Sequence, residues 1–183
     1  MEAFLVSAGV VALAEFGDKT QLLALVLAAR YRRPLPIVLG ILLATLANHA
    51  LAAAAGKWVT TAVDPAVLRW ILGLSFLAMA VWTLVPDKPD RKADGLARLG
   101  VFGATVVSFF LVEMGDKTQL ATIALAAHYG SFAWVVAGTT LGMLIANAPV
   151  VFLGERLLRR VPLRAVHLAA AAAFAVLGVA ALL

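Results

Sequence analysis

Two short segments of the chain concentrate groups able to do chemistry. Residues 15–21 read Glu-Phe-Gly-Asp-Lys-Thr-Gln, and residues 113–119 read Glu-Met-Gly-Asp-Lys-Thr-Gln. Each offers oxygen donors: carboxylates at Glu15 and Asp18, or Glu113 and Asp116; a hydroxyl at Thr20 or Thr118; an amide at Gln21 or Gln119. On a continuous helix, Glu and Asp at i and i+3 stand one above the other on a single face. Gly17 and Gly115 either admit a neighbouring backbone or let the helix unwind and present carbonyl oxygens. Set face to face and antiparallel, the two segments place four carboxylates around a pseudo-two-fold axis. Such an all-oxygen cage suits a hard divalent cation, Mn²⁺, Ca²⁺ or Mg²⁺, rather than Cu⁺ or Zn²⁺, which favour thiolate or imidazole. The chain has no cysteine, and His49, His128 and His167 are scattered without ligand spacing.

A purely structural role is the competing expectation. Glu15–Lys19 and Glu113–Lys117 have the i,i+4 order that favours ion pairs along one helix. That arrangement accounts for the lysines but not for Asp18 and Asp116. Four carboxylates and two ammoniums sum to −2, the complement of one dication or two protons.

The setting of these charges gives them weight. Of 183 residues, 63% are apolar and only 14% charged, with a mean hydropathy of +0.99. A soluble domain is usually about 25% charged, so this composition excludes a soluble globular protein. A span needs roughly 20 residues, which leaves room for about six helices and no soluble domain. Apolar stretches fall near 4–28, 35–55, 66–85, 99–127, 132–153 and 164–182. Pro34 and Pro36, Pro65, Pro86 and Pro162 punctuate their limits. The first stretch is not a signal peptide, because its flank is acidic and it runs past Glu15 and Asp18. Four of the ten acids therefore sit inside spans, where each ionised side chain costs about 2.5–3.5 kcal/mol on insertion scales.

The net charge of +5 lies in loops. Eleven Lys and Arg occupy one side: Arg30, Arg32 and Arg33; Lys88, Arg91, Lys92 and Arg98; Arg156, Arg159, Arg160 and Arg164. Only Lys57 and Arg69 occupy the other. Basic loops stay cytoplasmic, so both termini are expected on the non-cytoplasmic side. This use of the basic residues makes the lipid bilayer, and not nucleic acid, the expected partner.

The motif belongs to a longer repeat. Residues 15–31 and 113–129 match at eleven of seventeen positions, and the offset of 98 also pairs Gly40 with Gly138, Gly56 with Gly154 and Phe76 with Phe174. The expected organisation is a three-helix unit at 1–85, a cytoplasmic linker at 86–98 and a second three-helix unit at 99–183. An odd number of spans repeated once must enter the membrane from the opposite side. The basic loop Arg-Tyr-Arg-Arg (30–33) accordingly has a counterpart, His-Tyr-Gly-Ser (128–131), without arginine. Inverted-topology repeats are an architecture of secondary transporters, with the site at the repeat interface. The expected fold is thus an all-α membrane protein of six transmembrane helices in two inverted three-helix repeats.

The twice-repeated Glu-x-Gly-Asp-Lys-Thr motif resembles the signature of a family of small membrane cation/proton exchangers. Its eukaryotic members reside in Golgi and chloroplast membranes, and its bacterial members are manganese exporters of the MneA/MntX type. The resemblance covers the whole chain and implies a Mn²⁺ or Ca²⁺ antiporter without a resident cofactor. Carried over by position, it makes Glu15, Asp18, Thr20, Glu113, Asp116 and Thr118 the groups that bind the ion. The chain length resembles the bacterial form, which implies the inner (plasma) membrane. Gln21, Gln119, Lys19, Lys117, Asn48, His49 and Asn147 are supporting candidates; the repeat pairs His49 with Asn147, as a proton relay or as interhelical hydrogen bonding. Gly138 and Gly142 read as packing positions.

The expected mechanism is alternating access to one central site. A carboxyl group removed from water holds its proton more readily, and a dication displaces it, so the same acids serve both ions. Two other classes fit the acids: a passive cation channel, and an exporter of a cationic organic solute such as an amino acid. An enzyme does not, since no nucleophile–base pair or cofactor motif is present.

Overall fold

A computed structural model describes residues 1–85, 96–154 and 162–183. Lys88, Arg91, Lys92, Arg156, Arg159 and Arg160, and with them most of the expected linker, lie outside the described residues. Eight α-helices are present among those described. They are α1 (Glu2–Glu15), α2 (Lys19–Tyr31), α3 (Pro34–Ala62), α4 (Pro65–Thr83), α5 (Gly100–Glu113), α6 (Lys117–Tyr129), α7 (Phe132–Leu153) and α8 (Leu163–Leu182). A short 3-10 turn, Leu96–Leu99, leads into α5.

Local chemistry sets many of these limits. Pro34 and Pro65 open α3 and α4 at a position where the missing N–H has no intrahelical partner to lose. Asp64 caps α4 by accepting the Ala66 N–H at 2.8 Å. Gly130, in the left-handed region, closes α6, and Arg32 takes the same role after α2. Pro149 sits inside α7, which continues through it to Leu153.

Four helices, α3, α4, α7 and α8, are long and apolar enough to cross a membrane. Exposed Leu39, Leu43, Leu46, Val81, Val176 and Val179 give these helices an apolar outer surface suited to lipid. Trp58, Trp70 and Trp134 are exposed near helix ends, where interfacial anchors belong.

The stretches expected as continuous spans at 4–28 and 99–127 are not continuous. Each is two helices of 14 and 13 residues, broken at 16–18 and at 114–116. At 1.5 Å per residue neither half reaches the roughly 30 Å of a bilayer core. The physical reason is glycine: Gly17 has φ +81° and Gly115 φ +79°, a conformation that stops a right-handed helix and that other residues resist. The two acids of each motif therefore do not share a helix face, contrary to the i,i+3 expectation. Glu15 ends α1 while Asp18 begins α2, and Glu113 ends α5 while Asp116 begins α6.

The broken helices pack against the long ones crosswise between the halves of the chain. α1 lies along α7, and α5 lies along α3. Repeat-related glycines make both contacts close. A Cβ at Gly138 would come within 2.5 Å of the Phe4 carbonyl oxygen, and one at Gly40 within 2.7 Å of Thr105 Cβ. Gly142 continues the same seam against Ala8, as its packing assignment requires. α4 and α8 pack together beside this core, with Phe76 and Phe174 both fully buried.

Candidate metal centre

Both breaks are built alike. In the first, the Asp18 N–H reaches the Glu15 carbonyl at 3.1 Å, and in the second the Asp116 N–H reaches the Glu113 carbonyl at 3.1 Å. The glycine N–H that each break frees is taken up locally. Gln21 Oε1 accepts from Gly17 N–H at 2.9 Å, and Gln119 Oε1 accepts from Gly115 N–H at 2.7 Å. The glutamine oxygens are thus engaged by backbone, and these side chains shape the loops. Their amide nitrogens tie the loops to the long helices: Gln21 Nε2 donates to the Ala146 carbonyl at 2.8 Å, and Gln119 Nε2 donates to Asn48 Oδ1. The threonines hold the glutamates, Thr20 Oγ1 donating to Glu15 Oε2 at 2.5 Å and Thr118 Oγ1 to Glu113 Oε2 at 2.9 Å.

The lysines differ from the i,i+4 expectation. Each crosses to the other half of the chain: Lys19 Nζ lies 2.8 Å from Asp116 Oδ1, and Lys117 Nζ bonds Asp18 Oδ1. The reason is the break, which removes the single-helix geometry that an i,i+4 pairing needs and brings each lysine to the facing motif. The aspartates, for which a single-helix pairing provided nothing, are the lysines' partners.

Three carboxylates converge. One oxygen each from Glu15, Glu113 and Asp116 lies within 4.8 Å of the others, and all three residues are buried. Oxygens on opposite sides of one Ca²⁺ or Mg²⁺ stand about 4.0–5.2 Å apart, so this spacing matches a shared hard cation. Glu15 Oε1, Glu113 Oε1 and Asp116 Oδ2 have no hydrogen-bond partner among the described residues, although buried carboxylate oxygens are normally satisfied. Asp18 is not one of the converging three, a difference from the four-carboxylate arrangement expected from the repeat. It is held beside them by Lys117.

The supporting candidates divide. Asn48 reaches the second motif through Gln119. Asn147 Nδ2 donates to the Met143 carbonyl at 3.1 Å on its own helix and contacts Met143 Sδ at 2.9 Å. His49 is fully buried on α3, has no hydrogen-bond partner among the described residues at either ring nitrogen, and is not in the acid cluster. The contact that sequence reasoning did not anticipate is His167, whose Nε2 lies 2.7 Å from the Phe16 carbonyl oxygen in the first break. No pattern along the chain marked it.

The loop geometry yields a test. Ala at either glycine would be strained by about 1–2 kcal/mol from its positive φ alone. At Gly17 the new Cβ would also meet His167 Nε2 at 3.0 Å and Leu163 Cδ2 at 3.1 Å, whereas at Gly115 no described residue lies within 4 Å. Gly17→Ala should therefore lower the thermal midpoint more than Gly115→Ala. Equal losses would mean that the crowding at Gly17 relaxes freely.

Comparison with known proteins adds an independent line. The family model described as "Divalent cation/proton antiporter GDT1" matches residues 3–91 and 101–183. A Vibrio cholerae protein named as a candidate manganese exporter is 49% identical over 181 residues, covering 98% of this chain and 90% of its own length. A GDT1-like protein of Synechocystis is 29% identical over 189 residues, covering 92% of this chain and 90% of its own. GDT1-like protein 3 of Oryza sativa is 28% identical over 193 residues, covering 90% of this chain and 68% of its own. No solved structure matches the chain.

Proposed function

Because the chain belongs to the divalent cation/proton antiporter family GDT1, we propose that it exports a divalent cation, Mn²⁺ foremost and Ca²⁺ next, in exchange for protons. The family is one of transporters, not enzymes, and the chain is an integral membrane protein. The observation that carries the finer reading is the convergence of three buried carboxylates, each with an unpartnered oxygen, where two broken helices meet. The name of the Vibrio relative supports Mn²⁺ as the cargo.

In this reading Glu15, Glu113 and Asp116 bind the cation, with Asp18, Thr20 and Thr118 holding the set. Lys19 and Lys117 fix the two motifs to one another. The chain is arranged as two three-helix units, 1–85 and 99–183, in opposite membrane orientations about the linker at 86–98. Each unit contributes one broken and two continuous spans, and both termini lie on the non-cytoplasmic side of a bacterial inner membrane. The repeated helix order and the repeated glycine contacts support this arrangement.

From the cytoplasm M²⁺ displaces protons from the carboxylates, and on the far side protons displace M²⁺. Coupling is needed energetically. Each positive charge moved outward against an interior-negative potential costs about 2.3 kcal/mol per 100 mV, so an uncoupled dication would run inward. Exchange against two protons removes that electrical cost.

The experiment is purified protein in liposomes with a trapped pH dye, an imposed proton gradient, and Mn²⁺, Ca²⁺ or Mg²⁺ added singly. Proton movement triggered by Mn²⁺, less by Ca²⁺, and scaling with the gradient is the expected result. Metal entry without proton movement would establish a channel instead. No metal entry, with proton movement triggered by a cationic amino acid in its place, would establish an organic-cation carrier.

A further inference from the structure

The two breaks are alike in sequence and unlike in their surroundings. At the first, the opening turn of α8 covers the loop: His167 Nε2 donates to the Phe16 carbonyl oxygen at 2.7 Å, and Leu163 lies where a Gly17 Cβ would stand, at 3.1 Å. At the second, Met114 is 57% exposed, Gly115 is exposed, and among the described residues nothing lies within 4 Å of a Gly115 Cβ. The ion pairs follow the same division. Lys117–Asp18 is buried, with side chains 3% and 0% exposed, whereas Lys19, paired with Asp116, is 19% exposed.

Non-helical backbone at membrane depth is stable only when buried in protein or lining a water-filled cavity. A break that the described residues leave uncovered fits, on that rule, one that lines a water-filled opening. By the repeat, Pro65 and Arg69 on the first turn of α4 are the counterparts of Leu163 and His167. They do not lie over Met114; Arg69 instead lines a surface cavity with Ala127 and His128, near the other end of α6.

We propose that Leu163 and His167 form the gate over the first break, closed in this structure while the second break stands open. The acid cluster is then reached from the Met114–Gly115 side. Under the topology proposed above, on which this inference rests, α8 begins at the cytoplasmic face, so the closed gate is the inner one. In the opposite state the first turn of α8 withdraws from Phe16, and α4 moves along α6 toward Met114. His167 is a positioning residue: it acts through the Phe16 carbonyl and touches no ion.

The absence of cysteine allows a direct test. Phe16 and Met114 occupy the variable position of the motif, so Phe16→Cys and Met114→Cys are single-cysteine reporters. Each is reconstituted in liposomes and exposed to a membrane-impermeant maleimide from both faces. Met114→Cys should react, and Phe16→Cys should be protected. Loss of one hydrogen bond shifts such an equilibrium by up to about tenfold, so His167→Ala should raise the labelling rate of Phe16→Cys by up to about that factor. His167→Gln, which keeps a donor, should restore most of the protection. Equal reactivity of the two reporters with His167 in place would overturn the gate, as would an unchanged rate in His167→Ala. A Met114→Cys reporter unreactive from both faces would also overturn it, by showing that lipid or a second copy of the chain covers that break. Mn²⁺-driven proton movement of the unsubstituted chain is recorded in parallel. Its absence would sink the exchanger reading, while exchange without the labelling pattern would sink the gate alone.

Discussion

Replacing Glu15 with Gln should abolish Mn²⁺-driven proton movement while the protein still inserts and folds. The substitution preserves shape and leaves an oxygen to accept from Thr20, which donates to Glu15 Oε2 at 2.5 Å. It removes the charge from a residue that is fully buried and belongs to the converging set. Deleting one partner from a buried set of opposite charges typically costs about 3–5 kcal/mol, which corresponds to roughly 10²–10⁴-fold in the affinity of the bound dication. Gln also takes up no proton at the pH of transport, so the return half of the cycle is lost together with metal binding. Asp116→Asn should behave in the same way, because Asp116 supplies the third oxygen. Glu2→Gln, at the exposed start of α1, should leave exchange unchanged and serves as the control. Wild-type flux in either purified cluster variant would refute the site.

Much of this was legible along the chain, for a physical reason. Carboxylates inside apolar stretches are costly enough that a second copy at an offset of 98 is not a coincidence of composition. The family reading drawn from the repeated motif is borne out by the family model. Proline punctuation located the starts of the long helices α3 and α4, because proline acts on its own backbone. The spans around the motifs were misjudged as continuous. Apolar runs measure length and not φ, and Gly17 and Gly115 were compatible with either a close-packed or an unwound helix.

Partner choice was not legible at all. An i,i+4 rule sees only one helix, and once the helix breaks after Glu15 the geometry that rule assumes is gone. Whether Lys117 meets Glu113 or Asp18 is decided by how two distant segments face one another. The inequality of the breaks was hidden for a related reason. The motifs are nearly identical, so the difference resides in α4 and α8, where His167 meets Phe16 and its counterpart Arg69 does not meet Met114.

The crossed ion pairs give a second large and discriminating effect. Lys117→Met should destabilise the protein by about 3–5 kcal/mol, because it removes one member of a pair whose side chains are 3% and 0% exposed and leaves Asp18 without that ammonium. Lys19→Met should cost less, about 1–3 kcal/mol: the Lys19 side chain is 19% exposed and its pairing is partly screened, while Asp116, 2% exposed, loses that ammonium. The repeat alone predicts equal losses, so the inequality tests the structure and not the motif. A companion substitution identifies the partner. Asp18→Asn in the Lys117→Met background should recover most of the lost stability, because the charge left behind is removed as well. Glu113→Gln in that background should recover little if the pairing is crossed, and should recover most if Lys117 pairs along its own helix. Thermal unfolding of the purified variants in detergent reads all four. Rescue by Glu113→Gln in place of Asp18→Asn would overturn the crossed pairing and, with it, the fastening of the two halves through their lysines.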